Sequence, residues 1–146
     1  MKIKSRIGIL FATACFSLGI HPGFAQYDPC ASQVCRIHFA PGNCELKDSS
    51  LPILDEAVRI LKADSKSPAK IQIQGHTDNL ESPNQAMQLS LCRAQSAEKY
   101  LEKKGIPASR IAVTSEGAGK PLVSNDIEPG REQNRRVEIL LPGGPK

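Results

Sequence analysis

From residue 34 onwards, the apolar residues of this chain follow two spacings in turn, one typical of strands and one typical of helices. This alternation constrains the fold more than any other feature. Apolar residues in short, partly alternating runs predict four strands, at 34–39, 70–74, 110–115 and 136–141. Apolar residues three and four positions apart predict two helices, at 51–63 and 85–104, and a single helical turn at 130–134. The order is therefore βαβαβ, a helical turn and a last β. It predicts an α+β two-layer sandwich with the helices packed on one mixed sheet.

The first 25 residues match a secretory signal. Three basic residues precede an apolar run at 7–20, and small residues occupy the −3 and −1 positions of a cut before Gln26. The apolar run is shorter than the roughly 20 residues that a membrane-spanning helix needs. We expect export with cleavage after Ala25, and a retained anchor is the alternative.

The charge of the remaining chain argues against a nucleic-acid partner. The first 25 residues hold three of the 19 basic residues and none of the 15 acidic ones, which leaves the rest with a net charge of +1. Nucleic-acid binders usually have a clustered basic face. The remaining length suits one domain, and without Trp its core must consist mainly of Ile, Leu, Val and Ala.

Four cysteines remain after the expected cut: Cys30, Cys35, Cys44 and Cys92. An even number in an exported chain favours disulfides, and three pairings are open. A Cys-x4-Cys spacing followed by single cysteines is not a recognised zinc pattern. We therefore expect disulfides and neither a metal nor another cofactor.

Two opposite charges stand where a strand ends and the next helix begins. His76 and Asp78 are two apart, so on an extended strand they share one side. Arg93 lies about 200° around its helix from Leu91, so we expect it to face away from the apolar stripe. Asp78 and Arg93 could then line a cleft and take the ammonium and carboxylate of a zwitterionic ligand. A plain salt bridge between them is the alternative, and for His76 a bond to neighbouring backbone is the ordinary expectation.

Two blocks of the sequence resemble OmpA-like peptidoglycan-binding domains, a family that includes Pal lipoproteins and the periplasmic part of MotB. The first block is Ile-Gln-Gly-His-Thr-Asp-Asn at 73–79, followed by Leu89-Ser90 and Arg93-Ala94. The second is Gly-Arg-Glu-Gln-Asn-Arg-Arg-Val-Glu-Ile at 130–139. The resemblance covers 37–141, which leaves a short leader at 26–36 and a tail at 142–146.

The resemblance implies a non-enzymatic protein that binds peptidoglycan in the periplasm, near the outer membrane of a Gram-negative-type envelope. Asp78 would hold the ammonium, and Arg93 the carboxylate, of diaminopimelate in the stem peptide. Arg135 and Arg136 would point oppositely on a strand, so one of them should support the site or the fold. The other expected ligand-binding residues are Asn43, Thr77 and Asn79. Peptidoglycan is the implied partner, and an outer-membrane or other envelope protein is a second one.

With the cleft placed in this way, one cysteine pairing is favoured. The loop that carries Cys44 should lie near the cleft beside Cys92, so we expect these two to be bonded and Cys30 to pair with Cys35. Closing the larger ring should stabilise the fold by about 4 kcal/mol on the chain-entropy model.

Several positions depart from the family pattern. Gly42 and Ala86 stand where the family usually has Asn, Leu80 stands where Thr is frequent, and 115–118 replace a Gly-aromatic-Gly-Glu run. We therefore expect a weaker or altered ligand preference. The alternative function is a structural or partner-binding envelope module with weak or lost peptidoglycan affinity. A cell-wall hydrolase is disfavoured, because no catalytic constellation is visible.

Overall fold

Strands and helices alternate along the part of the chain that the computed structural model describes, residues 29–65, 67 and 69–143. Its elements are β1 (Val34–His38), α1 (Leu51–Ala63), β2 (Ile71–His76), α2 (Pro83–Lys103), β3 (Ile111–Gly117), α3 (Glu128–Asn134) and β4 (Arg136–Leu140). The expected order of strands and helices is confirmed. The expected signal lies outside the described residues.

The four strands form one mixed sheet in the order β1-β4-β2-β3. β2 and β3 are parallel, and β4 is antiparallel to both β1 and β2. Ile139 of β4 lies opposite Cys35 of β1 and Ile73 of β2, so the last strand joins the first to the centre of the sheet. The α+β fold with helices on one mixed sheet is confirmed.

The core lies between the helices and one face of this sheet. Alternate residues of the strands supply one side, and α1 supplies the other with Leu54, Ala57, Val58 and Leu61. The largest fully buried apolar side chains are Phe39, Ile37, Leu54, Leu61, Ile71, Ile73, Leu101, Ile139 and Val137. The core is thus mainly aliphatic, as the composition predicts.

The second helix begins two residues before the expected start at Gln85. Ser82 precedes the helix, and its backbone N–H donates to Oε1 of Gln85 at 3.3 Å, while Pro83 occupies the first helical turn. Proline is tolerated there because its missing N–H has no helical partner. The helix ends before Gly105, whose φ of +94° is favourable only for glycine.

The buried face of α2 differs from the expected one. The apolar spacing predicts a face of Met87, Leu91, Ala94, Ala97 and Leu101. The last three are buried, but Met87 and Leu91 are 47% and 39% exposed, and Ala86, Ser90 and Arg93 are buried instead. The cause is a close approach to the sheet at Gly75, where an added Cβ would lie 1.8 Å from the Ser90 carbonyl oxygen. Only small residues fit at this contact, so the larger apolar side chains are turned outward. The expected burial of Met87 and Leu91 was wrong for this reason.

The ends of the described chain are tied to the sheet. β1 begins at Val34, inside the stretch that we expected to be a leader, and Leu141 after β4 is buried and donates its N–H to the carbonyl of Gln33. Within the described residues, no helix combines the length and the apolar character needed to cross a membrane.

Candidate binding groove

A groove of about 450 Å³ opens between the loop after β1 and the start of α2. Its lining residues are Gly42, Leu80, Glu81, Gln85, Gln88 and Leu89. The volume lies in the range of pockets that hold small ligands. The groove therefore adjoins the two segments on which the sequence placed a binding site.

Arg93 is fully buried and does not line the groove, but it lies one turn of α2 after the lining residue Leu89. Its Nε donates to the carbonyl of Asn43 at 2.9 Å, and its Nη1 and Nη2 donate to the carbonyls of His76 and Ala40, each at 3.0 Å. The guanidinium also lies 5.4 Å from the centre of the Phe39 ring. The expectation that Arg93 faces away from the buried stripe of its helix was wrong, because it is buried with these carbonyls and this ring around it.

The charge of Arg93 has no ion-pair partner within the described residues, since none of their carboxylate oxygens lies within 4 Å of it. Burial lowers its pKa to about 10, and the more distant Glu81 and Asp78 oppose that shift. Arg93 is thus a buried cation that is stabilised mainly by carbonyl dipoles.

Asp78 is paired with a different arginine. Its Oδ2 accepts from Nη1 of Arg135 at 2.8 Å, and its Oδ1 accepts from the backbone N–H of Leu80 at 3.1 Å. Both charged side chains are nearly inaccessible to water, with 1% and 3% exposed. Burial raises the pKa of Asp78, but the bonds from Arg135 and Leu80 outweigh this and hold it below its usual value. Asp78 and Arg93 do not form the salt bridge considered as an alternative.

The two consecutive arginines have different partners. Besides Asp78, Arg135 binds the carboxylate of Glu128 in α3. Arg136 donates its Nε to Glu138 at 3.0 Å and its Nη2 to the carbonyl of Lys120 at 3.3 Å. Arg135 therefore supports the candidate site, whereas Arg136 lies among residues of β4 and the loop after β3.

The three remaining predicted site residues have separate environments. Asn43 uses Oδ1 to accept the backbone N–H of Glu45 at 2.7 Å. Thr77 is buried, its N–H donates to the carbonyl of Gly117, and its hydroxyl has no partner among the described residues. Asn79 is exposed. Asn43 also contributes the backbone carbonyl that accepts from Arg93.

Glu81 is a groove residue that the sequence reasoning missed. It lines the groove, and one oxygen of its carboxyl, Oε2, is buried without a hydrogen-bond partner among the described residues. Burial is the largest cause that raises its pKa, followed by the hydrogen bond with Asp78. An acidic residue three positions after Asp78, in the same loop, was the signal that could have identified it.

His76 does not form the backbone bond expected for it. It is 2% exposed, and neither ring nitrogen has a partner within the described residues. Burial, and next the charge of Arg136, lower its pKa to about 4, so the ring is neutral at pH 7. Its charged neighbours include Glu138 and Glu116, whereas Asp78 contacts Arg135. β2 ends at His76, so Asp78 lies beyond the extended strand on which the two residues were expected to share a side.

The disulfides have the expected pairing. Cys44 is bonded to Cys92 with a Cα–Cα distance of 5.8 Å, and Cys30 is bonded to Cys35 at 4.0 Å. The first bond fixes the loop after β1 to α2, next to Arg93. Within the described residues, no group of three His, Cys, Asp or Glu side chains is placed to hold a metal ion.

Residues 38–135 match the model of the OmpA family. This chain belongs to that family. It is similar to the outer-membrane lipoprotein YfiB of Pseudomonas aeruginosa, with 38% identity over 73 residues, which cover 50% of this chain and 44% of YfiB. It is also similar to the peptidoglycan-binding protein ArfA of Mycobacterium tuberculosis, with 32% identity over 128 residues, which cover 82% and 39%. The chain spans less than half the length of either relative.

Among solved structures, the peptidoglycan-associated lipoprotein of Burkholderia pseudomallei has the same fold. The TM-score is 0.68 at 24% identity, and the match covers 72% of this chain and 87% of that one. Two departures from the family pattern lie at the candidate site. Gly42 lines the groove with a φ of +61°, and Ala86 is buried on α2, next in the chain to the lining residue Gln85. Neither can offer a side-chain amide to a ligand.

Proposed function

We propose that this OmpA-family protein binds peptidoglycan without covalent chemistry, by taking the diaminopimelate of a stem peptide into the groove beside Asp78 and Arg93. The observation that carries the proposal is the buried guanidinium of Arg93, which lies one turn of α2 after a groove-lining residue and has no ion-pair partner in the described residues. A buried charge is costly unless an opposite charge accompanies it. A ligand carboxylate would supply that charge.

Arg93 keeps hydrogen-bonding capacity for such a ligand. A guanidinium has five N–H donors, and three of its nitrogens each make one bond to a loop or strand-end carbonyl. Two N–H donors of Arg93 therefore have no partner among the described residues. The same carbonyl bonds hold the loop containing Gly42 against α2, which keeps the groove wall in place before the ligand arrives.

The other end of the ligand requires a negative charge. The carboxylate of Asp78 provides one, because Arg135 and the Leu80 N–H keep it ionised. Glu81 lines the groove, the buried Asp78 accepts from the backbone of the lining residue Leu80, and the buried Arg93 lies one helical turn from the lining residue Leu89. An amino acid with an ammonium and a carboxylate on the same carbon matches this arrangement.

The comparisons support the same function. One relative is named a peptidoglycan-binding protein and the structural neighbour a peptidoglycan-associated lipoprotein. The two disulfides favour an oxidising compartment. We place the protein in the periplasm, near the outer membrane, with peptidoglycan as its partner and no catalytic step.

A sedimentation assay with purified sacculi tests the proposal. Gln88 is exposed and lines the groove, so Gln88→Trp should fill the groove without disturbing the core. We expect at least about a tenfold loss of affinity, equivalent to about 1.4 kcal/mol. Gln95→Trp is the matched control, since Gln95 is exposed on the same helix and does not line the groove.

Two outcomes would contradict the proposal. If the wild-type domain stays in the supernatant at all protein concentrations, the function falls to the alternative, a structural or partner-binding envelope module. If Gln88→Trp and Gln95→Trp sediment like the wild type, the protein binds peptidoglycan by another surface.

A further inference from the structure

The two disulfides of the described chain differ in their access to solvent. Cys30 and Cys35 are buried, with 3% and 0% exposed, whereas Cys44 and Cys92 are both partly exposed. A thiolate breaks a disulfide by attacking one of its sulfurs, so an accessible bond is reduced faster than a buried one. A thiol reductant should therefore break the Cys44–Cys92 bond first.

The accessible bond is the one that lies at the groove. It joins α2 to the loop at 39–47, which contains neither a helix nor a strand. Gly42 belongs to this loop and lines the groove. The bond therefore holds a wall of the groove against the helix that forms its other side.

Hydrogen bonds from α2 hold the same loop. Nε and Nη2 of Arg93 donate to the carbonyls of Asn43 and Ala40, at 2.9 and 3.0 Å. Oγ of Ser96 donates to the carbonyl of Cys44 at 2.7 Å. Water can replace each of these hydrogen bonds when the loop moves away, whereas a covalent bond allows no such exchange. The disulfide is thus the constraint that keeps the loop in place at all times.

Given the peptidoglycan-binding function proposed above, we infer that the Cys44–Cys92 bond is a redox switch of the groove, which binds its ligand strongly when the bond is intact and weakly when it is reduced. In the reduced protein, hydrogen bonds hold the loop in place of the covalent bond, so only a fraction of the molecules has a formed groove wall. The affinity falls in proportion to that fraction.

The reductant is a dithiol, and the exchange runs through a mixed disulfide between one cysteine and that reductant. The dithiol supplies two electrons and two protons and becomes a disulfide itself. The bond between the two sulfurs breaks, and Cys44 and Cys92 become thiols. A disulfide oxidant reverses the reaction, so the loss of affinity is reversible.

Titration calorimetry with a purified stem tripeptide ending in diaminopimelate tests the switch. Wild type is measured oxidised, then after treatment with dithiothreitol and its removal without air, and again after reoxidation. Alkylation and peptide mapping identify the reduced cysteines. The double variant Cys30→Ala, Cys35→Ala is the matched control, because it keeps only the bond at the groove. The double variant Cys44→Ala, Cys92→Ala lacks the switch.

We expect reduction to expose Cys44 and Cys92 to alkylation while Cys30 and Cys35 stay bonded. The tripeptide should then bind about tenfold more weakly, which corresponds to a formed wall in about one reduced molecule in ten. Reoxidation should restore the affinity. The matched control should show the same loss, and the variant without the switch should bind weakly with or without dithiothreitol.

Hydrogen exchange separates a loosened loop from a lost fold. In reduced wild type the backbone amides at 40–45 should exchange faster, while those of β2 stay protected. If β2 also loses its protection, the bond sustains the whole fold and the switch is overturned.

Two further outcomes separate the switch from the proposed function. If oxidised wild type binds the tripeptide and reduced wild type binds it equally well, or if the Cys30–Cys35 bond is reduced first, the switch is overturned and peptidoglycan binding stands. If oxidised wild type does not bind the tripeptide, the proposed function fails and this inference fails with it.

Discussion

The ion pair between Asp78 and Arg135 has almost no contact with water, so each residue depends on the other for its charge to be tolerated. Glu128, the second partner of Arg135, is 53% exposed and is therefore a weaker compensation. Breaking a buried pair leaves an uncompensated charge, which costs far more than a surface pair contributes. Asp78 is thus a residue of the fold as well as of the groove.

This dependence predicts a large loss of stability in Asp78→Ala. The free energy of unfolding should fall by about 3 kcal/mol or more, because Arg135 loses its buried partner. Urea denaturation measures the change. Asp126→Ala, at an exposed aspartate in the loop before α3, should change it by less than about 0.5 kcal/mol. Equal stability of the two variants would contradict the account. A binding defect of Asp78→Ala alone therefore does not separate fold from function.

The position of α2 depends on its close contact with β2. Gly75 of β2 lies at this contact. A Cβ added to it would lie nearest to Ser90 and Ala94 of the helix. Ser90 also donates its hydroxyl to the carbonyl of Met87 and bonds the hydroxyl of Ser115 at 2.6 Å. This small-residue contact sets the rotation of the helix that buries Arg93.

Gly75→Ala should therefore be strongly destabilising. Its Cβ would lie 1.8 Å from a backbone oxygen of the helix, so the helix must move away from the sheet. Overpacking of this kind costs about 1–3 kcal/mol, and more where backbone must shift. We expect a loss of at least about 3 kcal/mol by urea denaturation. Gly119→Ala, where the nearest atom is 3.3 Å away, should lose less than about 1 kcal/mol. Similar losses for both would show that α2 is not held at Gly75.

The same contact explains what the sequence could and could not predict. The order, the type and the approximate bounds of the helices and strands followed from the spacing of the apolar residues. This is because the apolar residues so spaced in β2 and α1 are the ones that pack in the core. The buried face of α2 did not follow, because its contact residues are small or polar. Leu91 and Met87 looked like core residues, while Arg93 took the buried position. A buried arginine satisfied by carbonyls of distant loops has no local sequence signal, and neither has the pairing of Asp78 with Arg135.

At the scale of the whole molecule, the two disulfides constrain very different lengths of chain. Cys44 and Cys92 are 48 residues apart and join the groove loop to α2, whereas Cys30 and Cys35 are five apart and close a turn before β1. On the chain-entropy model the larger ring restricts the unfolded chain more.

Removal of the Cys44–Cys92 bond should therefore lower the free energy of unfolding more than removal of the Cys30–Cys35 bond. The double substitution Cys44→Ala, Cys92→Ala should lower the free energy of unfolding by about 4 kcal/mol, and Cys30→Ala, Cys35→Ala by about 2 kcal/mol. Urea midpoints of the two variants, with unchanged slopes, measure this difference. A larger loss from the Cys30–Cys35 pair would contradict the assignment of the longer bond as the main constraint on the groove.

The most direct measurement is a crystal structure of the domain soaked with the diaminopimelate tripeptide. We predict electron density in the groove between Gly42 and Leu89, with a ligand carboxylate beside Arg93 and the side-chain ammonium beside Asp78. Density at another surface, with this groove unchanged, would contradict it.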